Sequence, residues 1–283
     1  MVRINNLLNE KIIESNLPLV IGYFNCIHLM HHKLLSQFSK FNILTFSDFA
    51  VKNRNMIYSY QERINALKEY KPKIIYVYKI QNNNIKGLDF INNFLKKINP
   101  SKIVVGSNFK FGIDHKNVIF LDKYFYIIKV KQNKHISTTY IINLLRNGKI
   151  QQANKLLKKH YSYTSSVIKG RKIGSKIGYP TINLKLSKLL ILPDGVYATK
   201  IYFKKHCFKS VTFIGKSKTT SSLHRTLEIH VIGCSFKSVV RKNTKIKIEF
   251  INFLRKNEKF LNILMLKKYI NNDIHNALKY FKK

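Results

Sequence analysis

Residues 17–35 read LPLVIGYFNCIHLMHHKLL, and this stretch decides how the first half of the chain folds. A short apolar run (Leu19, Val20, Ile21) stops at Gly22, a turn carries His28 and His31, and an amphipathic segment follows. That is a strand, a loop and a helix, with two histidines three residues apart where the helix starts. A helix start presents free backbone N–H groups and the positive end of the helix dipole, which attract phosphate. Two imidazoles placed there can donate to triphosphate oxygens as charge shifts during a transfer. On spacing alone such a pair is more often an ordinary pair of structural or surface histidines. A zinc site is not supported, because no third His, Cys or carboxylate stands nearby at ligand spacing.

The same alternation continues outward from this stretch. Strands are expected at 19–22, 43–46, 73–78 and 102–106, with helices at 32–38, 61–69 and 88–97 between them. Strands separated by helices of this length build a parallel sheet. The apolar runs 117–121 and 125–130 are expected to extend it, and helices at 138–146 and 151–158 are divided by Asn147-Gly148. Beyond Tyr161 the rhythm changes to short strand-like runs at 165–169, 195–203, 209–214, 226–232 and 244–253, punctuated by Gly and Pro. Strands this close, with no helices between them, point to a small antiparallel β-barrel. At 260–281, Leu266, Ile270, Ile274 and Leu278 recur every fourth position, as in an amphipathic helix packed on that barrel. Two domains are therefore expected, 1–160 and 161–283, which suits a chain of 283 residues.

With 45% hydrophobic residues the chain can bury real cores, which excludes a disordered protein. No apolar run approaches the roughly 20 residues of a membrane span, and the polar start MVRINNLLNEKIIES does not fit a secretory signal. No membrane partner is expected. Cys26, Cys207 and Cys234 are widely separated, so neither a disulfide framework nor a zinc knuckle is implied, and a reducing cytoplasm is expected. The net charge of +39 raises a nucleic-acid reading. The lysines, however, are spread along the whole chain and travel with Asn and Ile, as coding bias would place them, so no specific nucleic-acid partner is expected. The charge still favours anionic ligands such as ATP.

Four further segments carry candidate chemistry. Residues 104–112 read VVGSNFKFG at the end of a strand, where open α/β sheets bind ligands; the alternative is two core aromatics. Residues 136–142 read ISTTYII, with Ser137, Thr138 and Thr139 at a helix start, fit either to cap it or to meet phosphate oxygens. Residues 170–184 read GRKIGSKIGYPTINL, in which Gly170, Gly174 and Gly178 space a loop whose N–H groups can cradle phosphates and Lys172 and Lys176 add charge. Thr181 and Asn183 then alternate onto one face of an extended segment, an oxygen pair that suits Mg²⁺ carried by ATP. Residues 225–230 read RTLEIH; Leu227 and Ile229 share one face of a strand and leave Glu228 on the other, a perch for a general base facing a barrel mouth or else a solvated carboxylate.

In this order and spacing the segments resemble the prokaryotic bifunctional riboflavin kinase/FAD synthetase family over nearly the whole chain. The stretch 17–35 resembles its GNFDGVHLGH segment, 104–112 its VGxDFxFG, 136–142 its ISSTRIR, 170–184 its GxxxGxxxGFPTAN and 225–230 its RTLEVH. Residues 255–260 (RKNEKF) resemble its IRxExKF tail. The resemblance implies an N-terminal Rossmann-like nucleotidyltransferase domain of HxGH type and a C-terminal kinase barrel with a terminal helix. It implies phosphorylation of riboflavin to FMN with Mg-ATP, then adenylylation of FMN to FAD with release of pyrophosphate. Carried over residue by residue, Glu228, His28 and His31 are catalytic. Gly22, Phe24, Ser137, Thr138, Thr139, Gly174, Lys176, Gly178, Thr181 and Asn183 bind ATP, and Thr181 and Asn183 share Mg²⁺. Asn108, Phe109, Phe111 and Arg255 meet the flavin. The chain departs from the pattern at Asn25, Cys26 and Asn108, at Met30 in place of the HxGH glycine, and at Tyr140 and Ile142 in place of two arginines. Those departures support a kinase-only alternative with a degenerate first domain; a basic nucleic-acid-binding protein is the second alternative.

Overall fold

The structure is a computed structural model that describes residues 2–47, 56–80, 85–131, 133–170, 173–187, 190–216, 225–234 and 241–281. The chain forms two compact units, Met1–Tyr140 and Ile141–Lys283. The first contains strands Arg3–Asn6 (β1), Leu19–Ile21 (β2), Asn42–Phe46 (β3), Ile74–Tyr78 (β4), Ile103–Gly106 (β5), Lys110–Phe111 (β6), Lys116–Asn117 (β7) and Ile127–Val130 (β8). Its helices are Leu29–Leu35 (α1), Tyr60–Lys68 (α2), Gly87–Phe90 (α3) continuing through a π-helical Ile91–Leu95 into Lys96–Ile98 (α4), and Val118–Asp122 (α5). Six strands form one sheet in the order β1-β4-β3-β2-β5-β8, with every pairing parallel. Strands β2 and β4 are buried along their whole length, as expected where both faces of a parallel sheet are covered. Helix α2 starts where Ser59 and Glu62 form a reciprocal capping box, a signal present in the sequence as Ser-x-x-Glu.

Two expectations for this unit need correction. Residues 117–121 do not extend the sheet. Asn117 caps helix α5, its Oδ1 accepting from the Phe120 N–H at 3.2 Å, and Val118 and Leu121 form the buried helical face. Strand β1 was not expected at all. It hides its polarity because the buried Asn5 donates to Glu10 and to the Lys11 carbonyl.

Helix Thr138–Arg146 (α6) leads into the second unit, which holds helix Ile150–Leu156 (α7), strand Ser162–Ile168 (β9), helix Ile173–Lys176 (α8) and strands Thr181–Leu184 (β10), Gly195–Phe203 (β11), His206–Lys216 (β12), Arg225–Val231 (β13) and Lys245–Lys256 (β14). Helix Ile263–Lys279 (α9) ends it. The six strands close into a barrel in the order β10-β13-β12-β11-β14-β9, antiparallel throughout. Ile182, Leu184, Leu227, Ile229, Ile201 and Ile248 are buried within it, together with Thr199, Ser210 and Thr212, whose hydroxyls satisfy one another at 2.7 Å. Helix α9 packs on the outside, where Val196, Ala198 and Val211 meet Ala277 and Ile274. The most buried positions of α9 are Asp273 and Ala277, whereas the expected stripe of Leu266, Ile270, Ile274 and Leu278 is half-buried.

Helix α7 packs on β14, and Asn154 ties it to the barrel by donating to the Phe250 carbonyl and accepting from the Tyr161 N–H, both at 2.8 Å. A fragment of residues 141–283 is expected to fold by itself. A fragment starting at Tyr161 keeps all six strands but loses these bonds and the buried Ile150 and Ala153. Its melting midpoint should be lower by roughly 10 °C, since each lost bond contributes about 1 kcal/mol. Equal midpoints in circular dichroism would show that α7 adds nothing to barrel stability.

Candidate active sites

In the first unit, β2 and β5 are neighbours, with β3, β4 and β1 beyond β2 and β8 beyond β5. The chain thus leaves the two strands in opposite lateral directions, and their C-terminal ends open a crevice of the kind where parallel sheets take ligands. A cleft of about 320 Å³ lies there. From the β2 end it is lined by Gly22, Phe24, His28, Met30 and His31; from the β5 end by Asn108 and Phe109; and from the start of α6 by Ser137 and Thr138. Thr139 is exposed on α6 and is not part of the lining, and Phe111 is buried in the core with its ring stacked 5.8 Å from Phe109. Met30 lines the cleft directly, while Tyr140 stands exposed with its ring edge-on to His135.

The histidines have a defined arrangement. His28 is the N-cap of α1, and its Nδ1 accepts from the His31 N–H at 3.3 Å. A neutral ring accepting at Nδ1 carries its proton on Nε2. His31 Nδ1 lies 2.7 Å from the Cys26 carbonyl, which only accepts, so His31 carries its proton on Nδ1. The two rings stack with centroids 3.7 Å apart, and Phe24 lies edge-on to His31 at 5.1 Å. Phe24 holds a left-handed backbone (φ 51°), a conformation that costs free energy for a bulky residue and clusters at functional sites. Burial pushes the His28 pKa down to about 4, and burial plus the neighbouring His28 pushes His31 down to about 3. Both rings are therefore neutral near pH 7, and His28 carries an Nε2–H donor rather than a fixed positive charge. Beneath them burial pushes the Cys26 thiol up to about 12, with its sulfur 3.8 Å from Thr138 Oγ1. Ser137 donates to the Lys134 carbonyl and accepts from the Tyr140 N–H, so it caps α6 while lining the cleft.

In the second unit, β10 and β13 pair with Asn183 opposite Glu228 and Thr181 opposite His230. Ile182, Leu184, Leu227 and Ile229 point inward, so Thr181, Asn183, Thr226, Glu228 and His230 share the outer face. Glu228 therefore stands on the outer wall, not at the barrel mouth. Thr181 Oγ1 donates to Glu228 Oε2 at 3.5 Å, and Thr226 Oγ1 donates to Glu228 Oε1 at 3.2 Å. The glycine-rich loop covers this face. A Cβ on Gly174 would overlap the Tyr179 carbonyl, so that approach requires glycine, and one on Gly170 would displace the Asn183 amide. Gly178 follows α8 with φ 88°, Lys176 is exposed on α8, and Arg171 and Lys172 lie outside the described residues. Tyr179 donates to Asn271 of α9 at 2.6 Å, and His230 Nδ1 donates to the Pro180 carbonyl at 3.0 Å. Thr181 and Asn183 offer hard oxygens on one face beside the Glu228 carboxylate, a donor pair that fits Mg²⁺, which takes few protein ligands and keeps room for phosphates and water. Arg255 is turned to α9: its Nε and Nη2 both donate to Asp273 at 2.8 Å, and its guanidinium lies over the Phe260 and Tyr269 rings.

A riboflavin kinase family model matches residues 157–281, and a FAD synthetase family model matches residues 11–140. A bifunctional riboflavin kinase/FMN adenylyltransferase of Buchnera aphidicola subsp. Schizaphis graminum is 33% identical over 317 residues, covering 99% of both chains. The chain belongs to this family. The trifunctional protein RibF/MnmA of Mycoplasmoides gallisepticum is 37% identical over the whole chain, which spans 43% of that relative's length. A crystal structure described as a macrolide-efflux protein from Streptococcus pneumoniae shares the fold, with a TM-score of 0.82, 22% identity and 94% coverage of each chain. Thr226, His230, Tyr179 and Asn271 stand beside or are tied to the candidate residues on this face, and sequence reading did not single them out. The period-2 alternation that isolates Glu228 also places Thr226 and His230 beside it. No comparable signal marks Asn271, 92 residues from Tyr179. Among the described residues no helix is long and apolar enough to cross a membrane.

The depressed histidine pKa values set a pH dependence. The unfolded chain takes up protons near pH 6.5, whereas the folded FAD synthetase unit resists them until about 4 and 3. Protonation therefore favours unfolding, and the stability of this unit should be full above about pH 7 and fall as pH drops from about 6.5 towards 4. Calorimetry of the full chain should show the fall, and the double variant His28→Gln/His31→Gln should show less of it. An identical fall in both proteins would assign the acid sensitivity elsewhere.

Proposed function

We propose that the outer wall of the barrel performs the kinase step and the cleft at the β2 and β5 ends performs the adenylyl transfer, with the first step assigned to residues 161–283 and the second to 1–160. In the kinase step the ribityl hydroxyl of riboflavin attacks the γ-phosphorus of ATP. Its proton passes to Glu228, the bond from the γ-phosphorus to the bridging oxygen breaks, and ADP leaves. Thr181 and Asn183 would hold Mg²⁺, which supplies charge neutralisation on the phosphates when bound. The glycine-rich loop, with Gly174, Lys176 and Gly178, offers a close backbone approach and the Lys176 charge to the ATP phosphates. The observation that carries this reading is the meeting of Thr181, Asn183 and Glu228 on one face under that loop.

In the second step a phosphate oxygen of FMN attacks the α-phosphorus of another ATP and pyrophosphate leaves. The FMN phosphate is already ionised, so no protein base is required. His28 Nε2–H and the Ser137 and Thr138 hydroxyls meet phosphate oxygens, and Gly22 and Phe24 shape the nucleotide end of the cleft. Asn108 and Phe109, at the β5 end of the same cleft, meet the flavin. Phe111 acts behind Phe109 as its ring support, whereas Thr139, exposed outside the cleft lining, takes no part in phosphate binding. Arg255 bounds the kinase flavin site through its fixed position between β14 and α9. Three free cysteines and the demand for ATP support a cytoplasmic setting.

Incubation with riboflavin and Mg-ATP, followed by chromatographic separation of FMN from FAD, tests both assignments. The double variant His28→Ala/His31→Ala should accumulate FMN and make no FAD. Glu228→Gln should lose FMN formation by about 100-fold or more, yet still convert supplied FMN to FAD. If the unaltered chain makes FMN but never FAD, the kinase-only reading replaces this one. Thr181→Ala and Asn183→Ala should each raise the Mg²⁺ concentration needed for half-maximal FMN formation. An unchanged Mg²⁺ titration in both would remove these residues from the metal site.

A further inference from the structure

Thr226 and Glu228 sit two residues apart on the outward face of β13. The Thr226 hydroxyl donates to Glu228 Oε1 at 3.2 Å, and it also lies 3.2 Å from the carbonyl of Gly215, its cross-strand partner on β12. A threonine hydroxyl has one proton, so it serves one of these acceptors at a time. The other carboxylate oxygen, Oε2, is on the Thr181 side, 3.5 Å from Thr181 Oγ1. The two oxygens of Glu228 therefore stand in different settings, one turned along β13 towards Thr226 and one turned across to β10.

We propose that Thr226 is a positioning residue for the kinase step: it holds Oε1 so that Oε2 is the oxygen presented to the ribityl hydroxyl. This rests on the kinase reading given above. The terminal torsion of a glutamate is broad and roughly two-fold, so an untethered carboxylate spreads over many orientations. Threonine is β-branched and stiff at χ1, which makes it a firm anchor for that torsion. As the riboflavin hydroxyl oxygen bonds to the γ-phosphorus, its proton moves to Oε2 and the ADP oxygen leaves. Glu228 is then a neutral acid, and the Thr226 proton can turn to the Gly215 carbonyl. The hydroxyl stays hydrogen-bonded before and after proton transfer, so neither state leaves it unsatisfied.

The test compares Thr226→Val, which keeps the β-branched shape without the hydroxyl, with Thr226→Ser, which keeps the hydroxyl. Both are made in the full chain. Thr226→Val should lower kcat for riboflavin phosphorylation by about 10- to 100-fold while the KM values for riboflavin and Mg-ATP change less than about twofold. Thr226→Ser should recover most of the loss. Because Thr226 acts through Glu228, Thr226→Val should slow a Glu228→Gln enzyme no further. Conversion of supplied FMN to FAD and the thermal midpoint should match the unaltered chain, which separates the effect from misfolding. A wild-type kcat in Thr226→Val, a Thr226→Ser variant as slow as Thr226→Val, or an additive loss on Glu228→Gln would each overturn the assignment. An unaltered chain that forms no FMN would instead overturn the kinase reading on which it stands.

Discussion

The pleat of a closed barrel is the constraint on which the proposed kinase site depends. A strand sends alternate side chains to opposite faces, and closure makes one of those faces an interior that must be filled. Leu227 and Ile229 fill it from β13, and Ile182 and Leu184 from β10. Thr181, Asn183, Thr226, Glu228 and His230 are thereby forced outward and into register with one another. A slip of β13 by one residue would bury the Glu228 carboxylate and expose three apolar side chains, Leu227, Ile229 and Val231, so packing fixes the register. Because β10 follows the glycine-rich run directly, the loop is delivered onto the same face.

The first unit solves its problem through topology. Parallel strands cannot be joined by tight hairpins, so each connection crosses the sheet, and where consecutive crossings diverge a crevice is left between strand ends. Here β2 and β5 flank that crevice, and the segments that follow them carry His28, His31, Asn108 and Phe109. The cost of burying the histidines is met by keeping them neutral. Each is locked in one tautomer by a backbone partner, His28 by the His31 N–H and His31 by the Cys26 carbonyl. A neutral, oriented donor does not have to shed a charged hydration shell when a triphosphate arrives, which suits a pocket recessed at the strand ends.

Much of this was legible in the sequence because two periodicities separate the halves of the chain. The alternation of strands and helices predicts a parallel sheet, and the runs of short strands after Tyr161 predict the antiparallel barrel, as observed. The failures have specific causes. Residues 117–121 read as an apolar strand because a five-residue run has too few positions to separate period 2 from period 3.6, and the Asn117 cap was the deciding signal. Strand β1 was missed because its apolar content is low and its buried Asn5 is satisfied by partners further along the chain. Alternation told that Glu228 and Leu227 occupy opposite faces, but which face is the interior depends on barrel closure, a property of six strands together. Phe109 and Phe111 look equivalent in sequence, yet one reaches the cleft and the other packs in the core.

The buried Asp273 shows why the stripe on α9 was read slightly out of phase, and what that phase accomplishes. A carboxylate on a buried helix ridge looks like an error in the hydrophobic pattern until its partner is found 18 residues earlier, at Arg255 on β14. Burial pushes the Asp273 carboxyl above its ordinary range, and the two-pronged bond from Arg255 works in the opposite direction. Breaking such a pair from one side leaves an unmatched buried charge, so the pair fixes where α9 lies against β14. A lysine at 255 would supply the charge without the planar fork that matches both carboxylate oxygens. Two residues before Asp273, Asn271 accepts from Tyr179 at the end of the glycine-rich loop. The loop is thus referenced to α9, α9 to β14, and β14 to the same closed barrel that carries Glu228. The positions of the glycine-rich loop and of Glu228 are therefore set by one continuous chain of contacts rather than by two independent segments.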